Sequence, residues 1–563
     1  SGIIFPRGLD MRIQEQIRTI SVINSIIGQK ASSLFHATKR MGCYGVAGAL
    51  WPGMVFAAIP EQVAEKPAHE APVLPKGAEK VGNFYFVNGN RHYYDAAHAP
   101  TQPTVPRFVP STNGVGGAVA PNGKGAHSTA TQPYLFSLHY KPIEDAGKFL
   151  ASQGVYFTGF NVGQYNGYAG GGYKKGSAYT NWALFGVNLD MNRIAGVKGA
   201  QMHIILNDVA GQGRSWDYSA SDWSWLSTWG SHDGVMVREM TWDQELFNKH
   251  LYILAGRANP KGGEFEGSEL YCMFATFLCS SPTTLTIDGS SPSFTSATWA
   301  ARILVKPTAS TYIKGGVYEV EPWLKQSNHN GWPGEDWGFG KSTGAFIPVE
   351  AGYHTDFTTD KYPRSYALGF TYDTSPYDDP LYNTQHQIYA TAGGTPLEKR
   401  GRSTIYLQAQ QMIWKPDANG TRGLIAFGAA NFLTSGDGTA KDGFVGGLFD
   451  WGPFSSRPSD YAGVVVQSFL WNHKVTRSMN ASLQSQGYNS KWPDSETMLE
   501  ALYGFNLAPG VSLSPYFEYI WNPDQLAAAA PRPHITHAIQ AGLTFTFELN
   551  PGLNIADLHR IRK

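Results

Sequence analysis

Charge is scarce in this chain of 563 residues: Asp, Glu, Lys and Arg make up 16% of it, against roughly 25% in an average soluble domain. The 44 basic residues are balanced by 44 acidic ones, and without a basic excess or stripe no nucleic-acid partner is expected. Cysteine is nearly absent. Of the three, Cys43 lies in a segment expected to be removed, and Cys272 and Cys279 share the stretch LYCMFATFLC. At that spacing they would stand roughly 23 Å apart in a strand or about 10 Å apart in a helix, so a bridge between them requires a turn. Metal and cofactor signatures are missing as well. The 16 histidines form no His-x-x-x-His pair and the cysteines no Cys-x-x-Cys, so no zinc site and no cofactor is expected. GFGKST ends like a phosphate-binding loop, but Glu335 stands where its first glycine is required.

Long apolar runs are equally rare. The one at Met41 to Ala58 follows Lys39 and Arg40, is interrupted by Pro52 and ends in small residues. It reads as a secretory signal cut near Ala57/Ala58 rather than as an anchor, and residues 1–58 are assigned to a leader and signal peptide. Nothing later supplies about 20 consecutive apolar residues, so a membrane-crossing mature chain must be a closed barrel. Residues 59–133 are rich in Ala, Pro, Gly, Asn and Thr with no sustained period. They read as a mostly disordered periplasmic linker with room for a short ordered piece at FYFVNGNRHYY.

What the chain does have is glycine, 63 residues of it, and aromatics at 13%. After Tyr134, segments of about ten residues alternate in hydrophobicity between turn-rich loops. In HAIQAGLTFTFEL one face carries Ile539, Ala541, Leu543, Phe545 and Phe547, and the other Gln540, Gly542, Thr544 and Thr546. Ile405, Leu407, Ala409 and Ile413 likewise oppose Thr404, Gln408 and Gln410, and Phe517, Tyr519 and Trp521 oppose Ser514 and Glu518. Trp182, Tyr353, Tyr372, Trp414, Trp471 and Trp521 fall at segment ends, where an aromatic belt at the membrane interface is expected. The reading is all-β: a transmembrane antiparallel β-barrel over 134–549, of about 16 strands, wide enough for a water-filled lumen, followed by a tail at 550–563.

Ordered blocks then carry a resemblance: LDMNRIAGVKGAQMHI, DQELFNKHLYILAGRANPKGGEF, TWAARILVKPTASTYIKGGVYEVEP, GAFIPVEAGY, SYALGFTYDT, RGLIAFG, SRPSDYAGV and LSPYFEYIWNPD. In this order the chain resembles the OprB-type carbohydrate-selective porins of Gram-negative outer membranes. The resemblance implies a barrel of 16 strands in outer-membrane lipid, passive diffusion of monosaccharides such as glucose, no turnover, and insertion by the outer-membrane assembly machinery. The chain departs from the pattern in its longer linker and in continuing past Phe547 with ELNPGLNIADLHRIRK.

A sugar pore needs aromatic faces for the C–H side of a pyranose and charged or amide groups for its hydroxyls. SWDYSASDWSWLSTWG offers Trp216, Trp223, Trp225 and Trp229 on a long external loop at the mouth or folded into the lumen, where the competing role is packing of the loop itself. GWPGEDWGFG offers Trp332, Trp337 and Phe339. Arg257 ends a strand before a loop, and the resemblance implies a basic residue there facing the constriction. Glu350 and Glu518 fall on polar strand faces and are lumen candidates, whereas Asp190 belongs to a periplasmic turn. Arg457 and Asp460 either form a local pair that fixes a turn or join a charge ladder in the pore. Three other readings stay open, a general non-selective porin, a barrel enzyme and a secreted carbohydrate-binding β protein, as does a monomer or a trimer. No period in the sequence tells which loop folds inward.

Overall fold

The computed structural model describes residues 134–558, apart from 213–215, 222, 224–233, 261–263, 278–295, 326–330, 333–336, 419 and 527–531, together with three short strands between residues 79 and 93. Those strands, β1 (Glu79–Val81), β2 (Phe84–Val87) and β3 (Asn90–Tyr93), form a small antiparallel meander. It falls on the ordered piece expected within the linker. The leader and signal segment at 1–58 lies outside the described residues.

The remaining strands form one closed barrel in which each strand pairs with its sequence neighbours and the last pairs with the first. They are β4 (Val155–Gly171), β5 (Gly176–Asp190), β6 (Ala200–Gly211), β7 (Gly234–Leu246), β8 (Leu251–Ala258) and β9 (Thr298–Val305). Then follow β10 (Thr311–Val320), β11 (Gly344–His354), β12 (Arg364–Asn383), β13 (Pro396–Trp414) and β14 (Gly423–Ser435). The wall is completed by β15 (Ala440–Trp451), β16 (Tyr461–Trp471), β17 (Ser495–Ala508), β18 (Val511–Trp521) and β19 (His537–Glu548). All sixteen strands are antiparallel to their neighbours, so no edge is left open. One rim carries short turns, such as Lys306–Ser310 and Pro509–Gly510; the other carries the long connections after β6, β8, β10, β16 and β18. Short turns mark the periplasmic rim of such barrels, which puts the start of β4 and the end of β19 there.

Alternation sorts the side chains as expected. Phe517 and Trp521 lie exposed on the outer face of β18, while Ser514, Tyr516 and Glu518 are buried inside. Tyr353, Tyr372 and Trp414 are also exposed outward. Trp182 and Trp471 are not: they share strand parity with the inward residues, are buried, and pack edge-on to Phe160 at 4.7 Å and against Trp492 at 5.5 Å. Trp182 lies in the middle of β5 and Trp471 at the end of β16, so parity, not position along the strand, decides between belt and interior.

Inside the wall one pairing recurs. Tyr312, Tyr406, Tyr461 and Tyr516 stand directly opposite Gly352, Gly369, Gly504 and Gly542 on the neighbouring strand. A β-carbon at any of these glycines would collide with the tyrosine ring or hydroxyl. Each ring therefore lies flat over its glycine, along the wall instead of across the lumen, and carries its hydroxyl sideways to a polar partner.

Candidate functional site

The connection between β8 and β9 turns into the barrel, and its described part, 264–277, crosses the lumen. Its root is tied by Arg257 Nη2 donating to Ala297 O at 2.6 Å and Asn259 Nδ2 donating to Ser296 O at 2.5 Å. Glu264 pairs with Arg302, and Lys314 Nζ donates to the Glu264 carbonyl. Glu350 is the main peg. Its carboxylate meets Lys314 Nζ at 2.8 Å and accepts from Tyr312 Oη at 2.7 Å, Tyr406 Oη at 2.6 Å and the backbone N–H of Glu266 at 2.9 Å. Further along, Gln408 Nε2 donates to Gly267 O at 2.9 Å and Ser268 Oγ to Gln410 Oε1 at 2.6 Å.

The far end reaches the opposite wall. Glu500 accepts the N–H groups of Ala275 and Thr276 at 2.8 and 2.7 Å. Beside it Glu518 accepts from Thr276 Oγ1 at 3.3 Å and from Gln540 Nε2 at 2.5 Å. Between these pegs the loop is apolar. Leu270, Tyr271, Phe274 and Phe277 pack on Phe427, Phe449 and Tyr461, while Met273 and Cys272 pack on a patch of Phe160, Val162, Trp182, Leu184, Ile205, Val209 and Met236. The interior is thus not the uniformly polar surface that alternation implies. Apolar residues appear on inward positions where the loop covers them. The space left between Cys272, Met273 and the wall at Tyr461 and Asn506 is about 20 Å³, room for about one water molecule.

Cys272 is disulfide-bonded. The segment around it is a 3-10 turn at Glu269–Cys272 followed by further turns, neither a continuous strand nor a long helix. Cys279 lies outside the described residues.

The sequence candidates divide sharply. Glu350 and Glu518 are in the lumen wall as expected, but their oxygens are engaged by the loop and by neighbouring side chains. Arg257 is at the predicted strand end and fully buried; its guanidinium lies 5.7 Å from the ring centres of both Trp299 and Trp337. Trp299 Nε1 donates to Trp337 O at 3.0 Å, and Phe339 beside them is exposed. Trp223 is 1% exposed, its ring 4.2 Å from that of Phe469 and 5.2 Å from that of Trp471, and its backbone N–H donates to Asp524 Oδ2 at 3.0 Å. Loop packing takes up its indole, so it presents no face to a solute. Trp216 opens a helical turn, Trp216–Ser219; Trp225 and Trp229 lie outside the described residues. Arg457 and Asp460 form the local pair, Nε to Oδ2 at 2.5 Å. Tyr503 and the Asn506 N–H add bonds to Asp460, both at 3.0 Å, fixing the β15–β16 turn on the short-turn rim. Asp190 caps the helical turn Met191–Ala195 between β5 and β6.

What sequence reasoning missed is the loop itself and its pegs Lys314, Tyr312, Tyr406 and Glu500. A signal existed: in WALFG both strand faces carry apolar residues, Trp182 and Leu184 on one and Ala183 and Phe185 on the other, which a water-filled lumen would not require. At the mouth a second unnoticed lock joins the ends of β12 and β13, the β14–β15 turn and the connection after β16. Lys399 and Lys474 each meet both Asp379 and Asp437, at 2.7 to 3.0 Å, fastening the helix His473–Ser485. GKSTG at Gly340–Gly344 has the form of a nucleophile elbow, but it leads from a 3-10 turn into β11 rather than from a strand into a helix.

The sequence profile of the carbohydrate-selective porin family OprB matches residues 174–549. Porin B of Pseudomonas aeruginosa is 23% identical over 393 residues, which cover 66% of this chain and 84% of that one. Among solved structures, the high-pH structure of Pseudomonas putida OprB superposes with a TM-score of 0.64 at 22% identity, covering 71% of this chain and 96% of that one. A closed barrel of sixteen strands, crossed by a loop and matched by this family over most of its wall, is a channel of the Gram-negative outer membrane, and the chain belongs to the OprB family of carbohydrate-selective porins.

Proposed function

We propose that the protein lets monosaccharides such as glucose diffuse passively through the barrel, without chemical turnover, and that the inserted loop sets what passes. The observation that carries this reading is the fastening of 264–277 to opposite walls, by Glu350 and Lys314 on one side and Glu500 on the other. A loop held at both ends gives a constriction of fixed shape, which size and hydroxyl selectivity require. Arg257, Glu350 and Glu518 then act as positioning residues that hold the constriction. Direct contact falls to aromatic faces at the mouth, where Trp299, Trp337 and the exposed Phe339 cluster; Trp216, Trp225 and Trp229 are proposed for the same task on their residue type alone. Insertion by the outer-membrane assembly machinery with β19 as last strand is part of the same reading.

The test is single-channel recording in planar bilayers with glucose, other monosaccharides and a disaccharide titrated against a salt current. Saturable block by monosaccharides, weakened in Trp337→Ala, supports the proposal. Conductance steps with no sugar block would make this a general porin, and inserted protein with no steps at all would remove the channel reading.

A further inference from the structure

The segments before β4 and after β19 meet on the outside of the barrel's closing seam. Leu135 N donates to Leu507 O at 2.8 Å, so the lead-in runs along the periplasmic rim from the end of β17 and enters β4 through the helix Lys141–Ser152. From the other side, the helical turn Leu549–Leu553 folds beside the outward-pointing Phe547, against whose ring Gly552 is packed. Asn550 Nδ2 donates to Phe157 O at 2.9 Å. Ile555 lies so close to the helix that a β-carbon at Gly147 would stand 2.8 Å from it. Leu549 sits over Gly159, on the outward face of β4. The helix is therefore propped by the tail at the edge of the lipid-facing surface.

Its apolar residues are mostly not used in that packing. Ala151 is its one buried residue. Phe149 is 65% exposed, Tyr140 just before the helix 59%, and Ile143 is exposed too; Phe157, at the start of β4, continues the exposed apolar surface into the barrel's belt. On a helical wheel Ile143, Ala146 and Phe149 share one side, and Glu144 and Lys148 the other. The charges cancel within the helix: Lys141 meets Asp145 at 3.0 Å and Lys148 meets Glu144 at 3.9 Å. A neutral helix with an aromatic-bearing apolar face, continuous with a lipid-facing belt and placed at its rim, has the character of an interfacial helix.

We propose that the helix Lys141–Ser152 lies in the headgroup–acyl boundary of the periplasmic leaflet, with Ile143 and Phe149 among the lipid chains, and so holds both chain ends over the seam. The occupant of the exposed face is phospholipid. Since the helix carries no net charge, the attraction is apolar and should not depend on anionic lipid.

The experiment uses the full mature protein in phosphatidylethanolamine and phosphatidylglycerol vesicles, spin-labelled at Ala146→Cys, which leaves Phe149 and Ile143 in place, and separately at Lys148→Cys. Unsubstituted protein carried through the labelling supplies the background from native cysteines. Relaxation by oxygen, which partitions into lipid, is compared with relaxation by a water-soluble nickel chelate. The expected result is a label at 146 relaxed by oxygen and shielded from nickel, with the reverse at 148. Equal nickel access at both positions would put the helix in water and overturn the proposal. Shielding of 146 from both agents would overturn it too, by making the occupant protein, whether a second copy or the chain before residue 134.

Discussion

Glu350 is a buried carboxylate whose partners come from two other strands and a loop, and buried ion pairs of this kind are costly to break from one side. Glu350→Ala would leave Lys314 without its carboxylate and two tyrosine hydroxyls without an acceptor. Loss of one partner of a buried pair costs about 3 to 5 kcal/mol. We expect a lower urea midpoint in detergent and noisier open-channel current as the loop is released. Glu350→Gln, which keeps the shape and some acceptors, should fall between that variant and the parent. The tyrosine–glycine pairing gives a second comparison. Tyr406→Phe removes one hydrogen bond, roughly 1.5 to 3 kcal/mol for one to a charged group. Gly369→Val pushes the whole ring off its seat and should be distinctly worse. If urea unfolding ranks the two equal, Tyr406 does not rest on that glycine.

At the scale of elements, the loop 264–277 is held by apolar packing and buried pegs, whereas the helix His473–Ser485 adds to the packing of Val475 and Leu483 a lock of two lysines and two aspartates. Deleting residues 268–276 should enlarge single-channel conductance severalfold and abolish any sugar block, with the barrel still formed by circular dichroism. The helix should respond to acid instead. Burial alone pushes the Asp437 carboxyl up, but hydrogen bonds from Lys474 and Lys399 more than reverse this and hold it below the usual carboxylate range. A depressed carboxylate pKa contributes stability that is present above the unfolded value, about 3.9, and lost as pH falls through the folded one. Hydrogen-exchange protection of 473–485, taken relative to the intrinsic rate at each pH, should therefore be steady near neutrality and fall only below about pH 4. Loss of protection at pH 6 would assign the change to another group. These elements were also the least legible from sequence. LYCMFATFLC is an apolar run without a period, and whether it folds as strand, helix or turn depends on walls contributed by β4–β7 and β14–β16, far away in the chain. Trp223 reads as a mouth aromatic until Phe469 and Trp471 are brought to it.

The barrel as a whole was legible because a single physical demand acts on every strand: apolar toward lipid, freer toward the inside. Ile405, Leu407 and Ile413, or Phe517 and Trp521, satisfy it in plain alternation, and repeated over the chain it gives both the strand count and the lumen. What alternation cannot convey is how the lumen is furnished, since the inner face tolerates Phe160 and Trp182 as readily as Gln164 once something covers them. The seam has a temporal consequence of its own. Every other ladder in the wall joins strands that are neighbours in sequence, whereas β19 meets β4 with Asn166 bonded to Gln540 across 374 residues. Sequential hairpins can form as the chain is delivered, but this ladder waits for the last strand, because closing so long a loop costs entropy before any contact repays it. Barrel maturation should thus show one slow step, in which β19 finds β4, and substitutions at Asn166 or Gln540 should change its rate more than equally disruptive substitutions at Glu350.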